Sequence, residues 1–133
     1  MARVITFRST SFDVSRERPN PVNPIAGESV LKWLGGELRR EGYEVTEPDT
    51  EDWGWYVDAG KEGARYLVGA SAEPEPTGPA PVDWAIQIHK HRTLMEKLTG
   101  KNTLGADDAL CALVETLFRD DPGTTDVDVQ QDA

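Results

Sequence analysis

The chain has 133 residues, 38% hydrophobic and 29% charged, with 24 acidic against 14 basic side chains and a formal charge of -10 at pH 7. That length supports one hydrophobic core without covalent staples, and no apolar run approaches the roughly 20 residues needed to cross a bilayer. The acid excess opposes phosphate contacts and argues against nucleic acid as a partner, while the early-polar N-terminus and the single Cys111 give no sign of a secretory signal or an internal disulfide, so a cytoplasmic location is expected.

Arg3 to Arg8 alternates, Ile5 and Phe7 against Val4 and Thr6, and reads as a first strand. Ser9 to Asn23 carries Pro19 and Pro21 among polar residues, with Phe12 and Val14 as apolar anchors, and reads as a long loop, either a functional flap or a mobile insertion. Asn23-Pro24 then offers a cap followed by proline at a first helical position, although Gly27 leaves open a start nearer Glu28. Ile25, Val30, Leu31, Trp33, Leu34 and Leu38 form the apolar stripe of this helix, and Gly42 stops it. Within it, Gly35 and Gly36 each cost about 1 kcal/mol relative to alanine. Close packing of Gly35 against a sheet is the expected compensation, and a break into two helices the alternative.

Tyr43, Val45 and Glu47 begin a second strand that Pro48-Asp49 ends. In the run Glu51 to Gly60, a period of two sends Trp53, Trp55, Val57 and Ala59 to one face and Gly54, Tyr56 and Asp58 to the other. Gly60-Lys61-Glu62-Gly63 turns this strand into Ala64 to Ala72, where Tyr66, Val68 and Ala70 alternate with Arg65, Leu67, Gly69 and Ser71, making a hairpin. Glu73 to Pro81 holds four of the nine prolines and reads as a surface loop. Asp83 to His91 alternates cleanly, Trp84, Ile86 and Ile88 against Ala85, Gln87, His89 and His91. A short helical turn over Arg92 to Leu98 precedes Gly100, and the helix carried by Ala109, Leu110, Leu113, Val114, Leu117 and Phe118 ends at Pro122-Gly123. Asp126 to Val129 supplies a short edge strand.

The order β-α-β-β-β-β-α-β, with two amphipathic helices and strands that each have one apolar face, predicts a two-layer α+β sandwich: a mostly antiparallel sheet with helices on one side. Residues 1–129 form the single domain of this reading and residues 130–133 a polar tail. Trp33, Trp53, Trp55 and Trp84 are assigned to the core, each ring burying on the order of 200 Å².

The opposite face is where chemistry is sought. Tyr56, Asp58, Arg65, Gln87, His89 and His91 lie there by parity and form the candidate surface for a protein partner or a small polar ligand. His89 and His91 share a strand face at a spacing zinc sites use, but a third ligand beyond Asp58 is missing from the pattern and Lys90 and Arg92 repel a cation, so no metal or other cofactor is expected. The same basic run is a weak signal for an anion, since no glycine-rich phosphate loop accompanies it. Cys111 sits beside an apolar stripe with no local base and reads as a packed thiol; no nucleophile with base and orienting partner is found, so no catalytic residue is assigned.

The run Glu51 to Val57, preceded by a Trp-containing amphipathic helix and followed by a hairpin ending in Val68-Gly69-Ala70-Ser71, resembles a group of small bacterial proteins of unknown function. The resemblance spans roughly Gly27 to Leu98 and implies a single bacterial domain, with no activity, cofactor or site residue to carry over. The residues favour a non-enzymatic binding or protein-interaction domain that uses the exposed sheet face; the alternative is a small enzyme or small-molecule-binding protein with a polar site around Asp58, His89 and His91.

Overall fold

The computed structural model describes residues 2–72, 81–105 and 107–132, except for the side chain of Asp132. The chain runs β1 (Ala2–Ser9), a 3-10 turn (Val14–Arg16), α1 (Glu28–Arg40), β2 (Glu44–Val45), β3 (Asp49–Glu51), β4 (Gly54–Lys61), β5 (Ala64–Ala72), β6 (Val82–Lys90), α2 (Leu94–Thr99), α3 (Ala109–Asp120) and β7 (Thr124–Asp132). It is the expected α+β architecture: one seven-stranded sheet of order β2-β4-β5-β6-β1-β7, with β3 also paired to β4 and every pairing antiparallel. Among the described residues no helix is long and apolar enough to cross a membrane.

Alternation decides which face is covered. Ile5 and Phe7 of β1, Trp55 and Val57 of β4, Val68 and Ala70 of β5, and Trp84, Ile86 and Ile88 of β6 all point to one side and are buried there. Onto them pack Val30, Leu31, Leu34 and Leu38 of α1 and Leu110, Val114 and Phe118 of α3, completing a single core cluster. An aromatic stack closes one end, with the Phe7 and Phe118 ring centroids 4.2 Å apart and Phe12 and Trp33 each beside Phe118.

The loop between β1 and α1 is docked to this core rather than standing off as a flap. Phe12 is buried and lies 5.3 Å from Trp33 and 6.1 Å from Trp84, centroid to centroid. Further along, the loop replaces a missing helix cap. The helix starts at Glu28, not at Pro24, and its cap residue Gly27 has no side chain to offer. Glu17 supplies the acceptor instead, taking the N–H of Gly27 at 2.9 Å and that of Ser29 at 3.0 Å, which satisfies two donors at the positive end of the helix dipole. Asn20 and Asn23 then donate to the carbonyls of Glu51, Gly54 and Asp52, tying the loop to the turn between β3 and β4.

Helix α1 is continuous through Gly35-Gly36 and ends in a Schellman motif, with Gly42 at φ +92° and hydrogen bonds from Gly42 N to Arg39 O and from Tyr43 N to Leu38 O. Gly35 is buried next to Val45 of β2, as close packing requires, whereas a Cβ at Gly36 would meet nothing within 4 Å.

Both edges of the sheet differ from the sequence expectation. Pro48 does not end the edge: Val45 pairs with Ala59 and Asp49 with Tyr56, so the edge accommodates one extra residue around Pro48 and resumes as β3. At the far edge β7 runs on through Gln130 and Gln131 to Asp132, paired with β1, where a polar tail was expected from residue 130. Its inward partner is buried Arg3, whose Nε donates to Gln131 Oε1 at 2.6 Å and whose Nη2 donates to Gly105 O at 2.7 Å. The proline-rich loop expected over Glu73 to Pro81 lies, but for Pro81, outside the described residues.

Candidate interaction surface on the open sheet face

With both long helices on one side, the other side of the sheet carries the alternate residues of each strand. Cross-strand register lines them up in rows: Tyr56, Gly69, Gln87 and Val4 in one, Asp58, Leu67, His89 and Ala2 in the next. The hairpin that sets this register between β4 and β5 turns through Glu62 and Gly63, both at positive φ (53° and 85°), as a type I′ turn requires.

Trp53 belongs to this face and not to the core. Strand parity fails for it because it is not in the strand: Asp52 and Trp53 form the two-residue turn between Glu51 and Gly54, and β4 begins only at Gly54. From that turn the indole reaches back over Gly69. A Cβ at Gly69 would collide with the ring edge, coming 2.6 Å from Trp53 Cζ3, and would lie 3.1 Å from Gln87 Cγ on the neighbouring strand. Gly69 is therefore the recess in which the half-buried tryptophan sits, one row position from Tyr56. Asp-Trp-Gly, a turn former on each side of the aromatic, was the available signal for this placement.

Of the six residues singled out by parity, four form two pairs and two, Tyr56 and Arg65, stand outside them. Gln87 and His89 are joined by Oε1 and Nε2 at 3.1 Å, and Asp58 and His91 by Oδ1 and Nε2 at 3.5 Å. His91 lies just past the end of β6, held by a hydrogen bond from its N–H to the Arg65 carbonyl at 2.8 Å. Tyr56 stands next to Trp53's recess, and burial with the nearby carboxylates of Asp49, Asp58 and Glu51 raises its phenol above the ordinary value, so it remains a donor at neutral pH. Arg65 lies apart from these pairs, opposite Gly60 at the hairpin end, with Nη1 3.5 Å from the position a Gly60 Cβ would take.

The surface thus has Trp53, Tyr56 and Leu67 over β4 and β5, with Asp58, His89, His91 and Arg65 around them and Val4 beyond Gln87 on β1. Among the described residues no three His, Cys, Asp or Glu side chains gather as ligands for a metal ion. Cys111 is buried in the core, where burial and the Asp108 carboxylate push its thiol up to about 12, so it is a protonated packing group at neutral pH. Tyr66 points inward beside it and donates to Asp108 Oδ2 at 2.9 Å.

Comparison with protein-family models, with curated proteins and with solved structures returned no match. The class the geometry defines is a two-layer α+β domain with one sheet face covered by helices and the other open.

Proposed function

We propose that this chain is a non-enzymatic interaction domain of the bacterial cytoplasm that takes a protein partner on its open sheet face. The observation that carries the reading is Trp53 resting on Gly69 beside Tyr56. Aromatic side chains fixed on a surface lose little conformational freedom on association, and a central aromatic pair inside a polar rim is the arrangement that interface energetics favour. The rim mixes signs, which suits selection of one partner by charge as well as shape.

The small-enzyme reading has one observation in its favour, the Asp58–His91 pair, in which a carboxylate orients an imidazole. Against it, the two side chains are 39% and 54% exposed. The hollow that contains His89 is lined by Lys90, Arg92, Lys97 and Leu104, without Asp58.

The interaction reading is tested with a photo-reactive amino acid placed at Leu67 of the full chain. A partner captured from native cytoplasm should cross-link there, and the yield should fall at least tenfold when Tyr56→Ala and His89→Ala are added, while Lys32→Ala on the helix side leaves it unchanged. Equal yields from all three proteins would place the interface elsewhere.

A further inference from the structure

Acid dominates this chain, yet at one end of the sheet, where β6 passes into α2, His89, Lys90, Arg92, Lys97 and Leu104 line a hollow of about 370 Å³ with no carboxylate among the described residues of its walls. We propose that this hollow is a binding site for a phosphate monoester dianion. Its size falls in the range of small-molecule pockets, and its charge can be accounted for group by group.

Lys90 is half-buried and already matched: its Nζ stands 3.9 Å from Asp108 Oδ2. Arg92 is fixed without being neutralised. Its Nε donates to the Lys101 carbonyl at 3.1 Å and its Nη2 to the Glu96 carbonyl at 3.0 Å, two dipoles that hold the guanidinium in place and leave its charge standing. Lys97 is exposed and, among the described residues, its ammonium makes no ion pair or hydrogen bond. Glu96, the nearest acid in sequence, accepts the Thr93 N–H at 2.9 Å in a capping box, and its carboxyl is held below the ordinary value chiefly by Thr93 and in smaller part by the charge of Arg92, without coming within ion-pair distance of it. Setting Lys90 against Asp108 leaves Arg92 and Lys97, two positive charges with no carboxylate within ion-pair distance among the described residues. A phosphate monoester carries about -1.5 to -2 at pH 7 and has oxygens for a guanidinium fork and an ammonium together.

The net charge of -10 opposes any anion at long range, but such fields are screened beyond about 8–10 Å at physiological salt. Selection therefore rests on the contacts inside the hollow. The same dianion is presented by a soluble phosphate ester and by a lipid head group, and Leu94, Met95 and Leu98 of α2, 74%, 67% and 75% exposed, give the second source something to touch.

The test follows amide resonances of the full chain during titration with inorganic phosphate at constant ionic strength, chloride being the replaced ion. A saturable response at His89 to Arg92 and at Lys97 is expected, with Kd raised about tenfold by Lys97→Gln and by Arg92→Gln, the cost of one charge-assisted contact. Lys97→Gln alters only an unpaired surface side chain, so its fold is secure even if Arg92→Gln loosens α2. Shifts that fail to saturate, or a curve unchanged in Lys97→Gln, would overturn the proposal. Tight binding of glycerol phosphate with no sedimentation on phosphatidic acid vesicles identifies a soluble ligand; sedimentation on those vesicles but not on phosphatidylcholine, lost in Lys97→Gln, identifies a head group.

Discussion

Trp53 lies over Gly69, so close that no side chain fits beneath the ring. Gly69→Ala must lift the indole from the sheet or shift the backbone of a strand paired on both sides. Overpacking of this kind costs about 1–3 kcal/mol. The expected result is a lower urea midpoint together with red-shifted tryptophan emission, because Trp53 is half-buried and the ring that moves gains water. An alanine variant with unchanged emission and stability would mean that Trp53 is not seated there.

Glu17 takes over the capping role that Gly27 cannot fill, accepting both the N–H of Ser29 and its hydroxyl, the latter at 2.5 Å. The carboxylate also sits at the positive end of α1, where negative charge is favoured. Glu17→Ala should cost about 1–2 kcal/mol, as loss of an N-cap does, and should release the loop that Phe12 anchors. Hydrogen exchange checks both parts: the amides of Gly27 and Ser29 lose protection first, ahead of the rest of α1.

Much of this architecture is legible in the sequence because period-two alternation in β1, β5 and β6 leaves one consistent apolar face, and period-three-and-four spacing in α1 and α3 supplies the stripes that cover it. The failures share a physical cause. Trp53 follows the parity of β4 only if the strand begins before Gly54, and a turn residue obeys no parity. The helix start near Pro24 rests on local capping, whereas the cap of α1 comes from Glu17, ten residues before Gly27 and brought near by packing of the loop. The last residues of β7 look like solvated tail because their hydrogen bonds go to β1, at the other end of the chain. Of the surface residues, Tyr56, Asp58, Gln87 and His89 are placed correctly on the open face by alternation alone. The recess at Gly69 is invisible without the partner strand.

Gly36 offers the reverse of Gly69. It lies inside α1, its φ is not positive, and a methyl group placed on it would meet open space. No contact among the described residues offsets the entropy it loses in a helix, so Gly36→Ala should stabilise the protein by about 0.5–1 kcal/mol. A methyl on Gly35 would instead stand 3.4 Å from Val45 Cγ1, the near limit of ordinary contact, and any adjustment Val45 makes should leave Gly35→Ala with the smaller gain. The difference between the two alanine variants in thermal unfolding measures the helix–sheet contact directly. If Gly35→Ala proved the more stabilising, close packing would not explain that glycine.

Glu28 makes stability depend on pH. It is 1% exposed, which by itself disfavours the carboxylate, but hydrogen bonds from the backbone N–H of Arg18 and from its guanidinium, with the charges of Arg18 and Lys32, outweigh burial and hold its carboxyl below the ordinary value. A carboxyl depressed in the folded state binds a proton more readily in the unfolded chain, so its contribution is complete above the unfolded value of about 4.3 and is lost as pH falls through the lower folded value. Glu28→Gln keeps the shape and removes the charge, leaving Arg18 without its partner at neutral pH. The variant should be less stable than the parent by about 1–3 kcal/mol at pH 7, and the two urea midpoints should converge as pH drops below 4. A gap of the same size at pH 7 and at pH 3 would show that the ionised carboxylate is not what Arg18 holds in place.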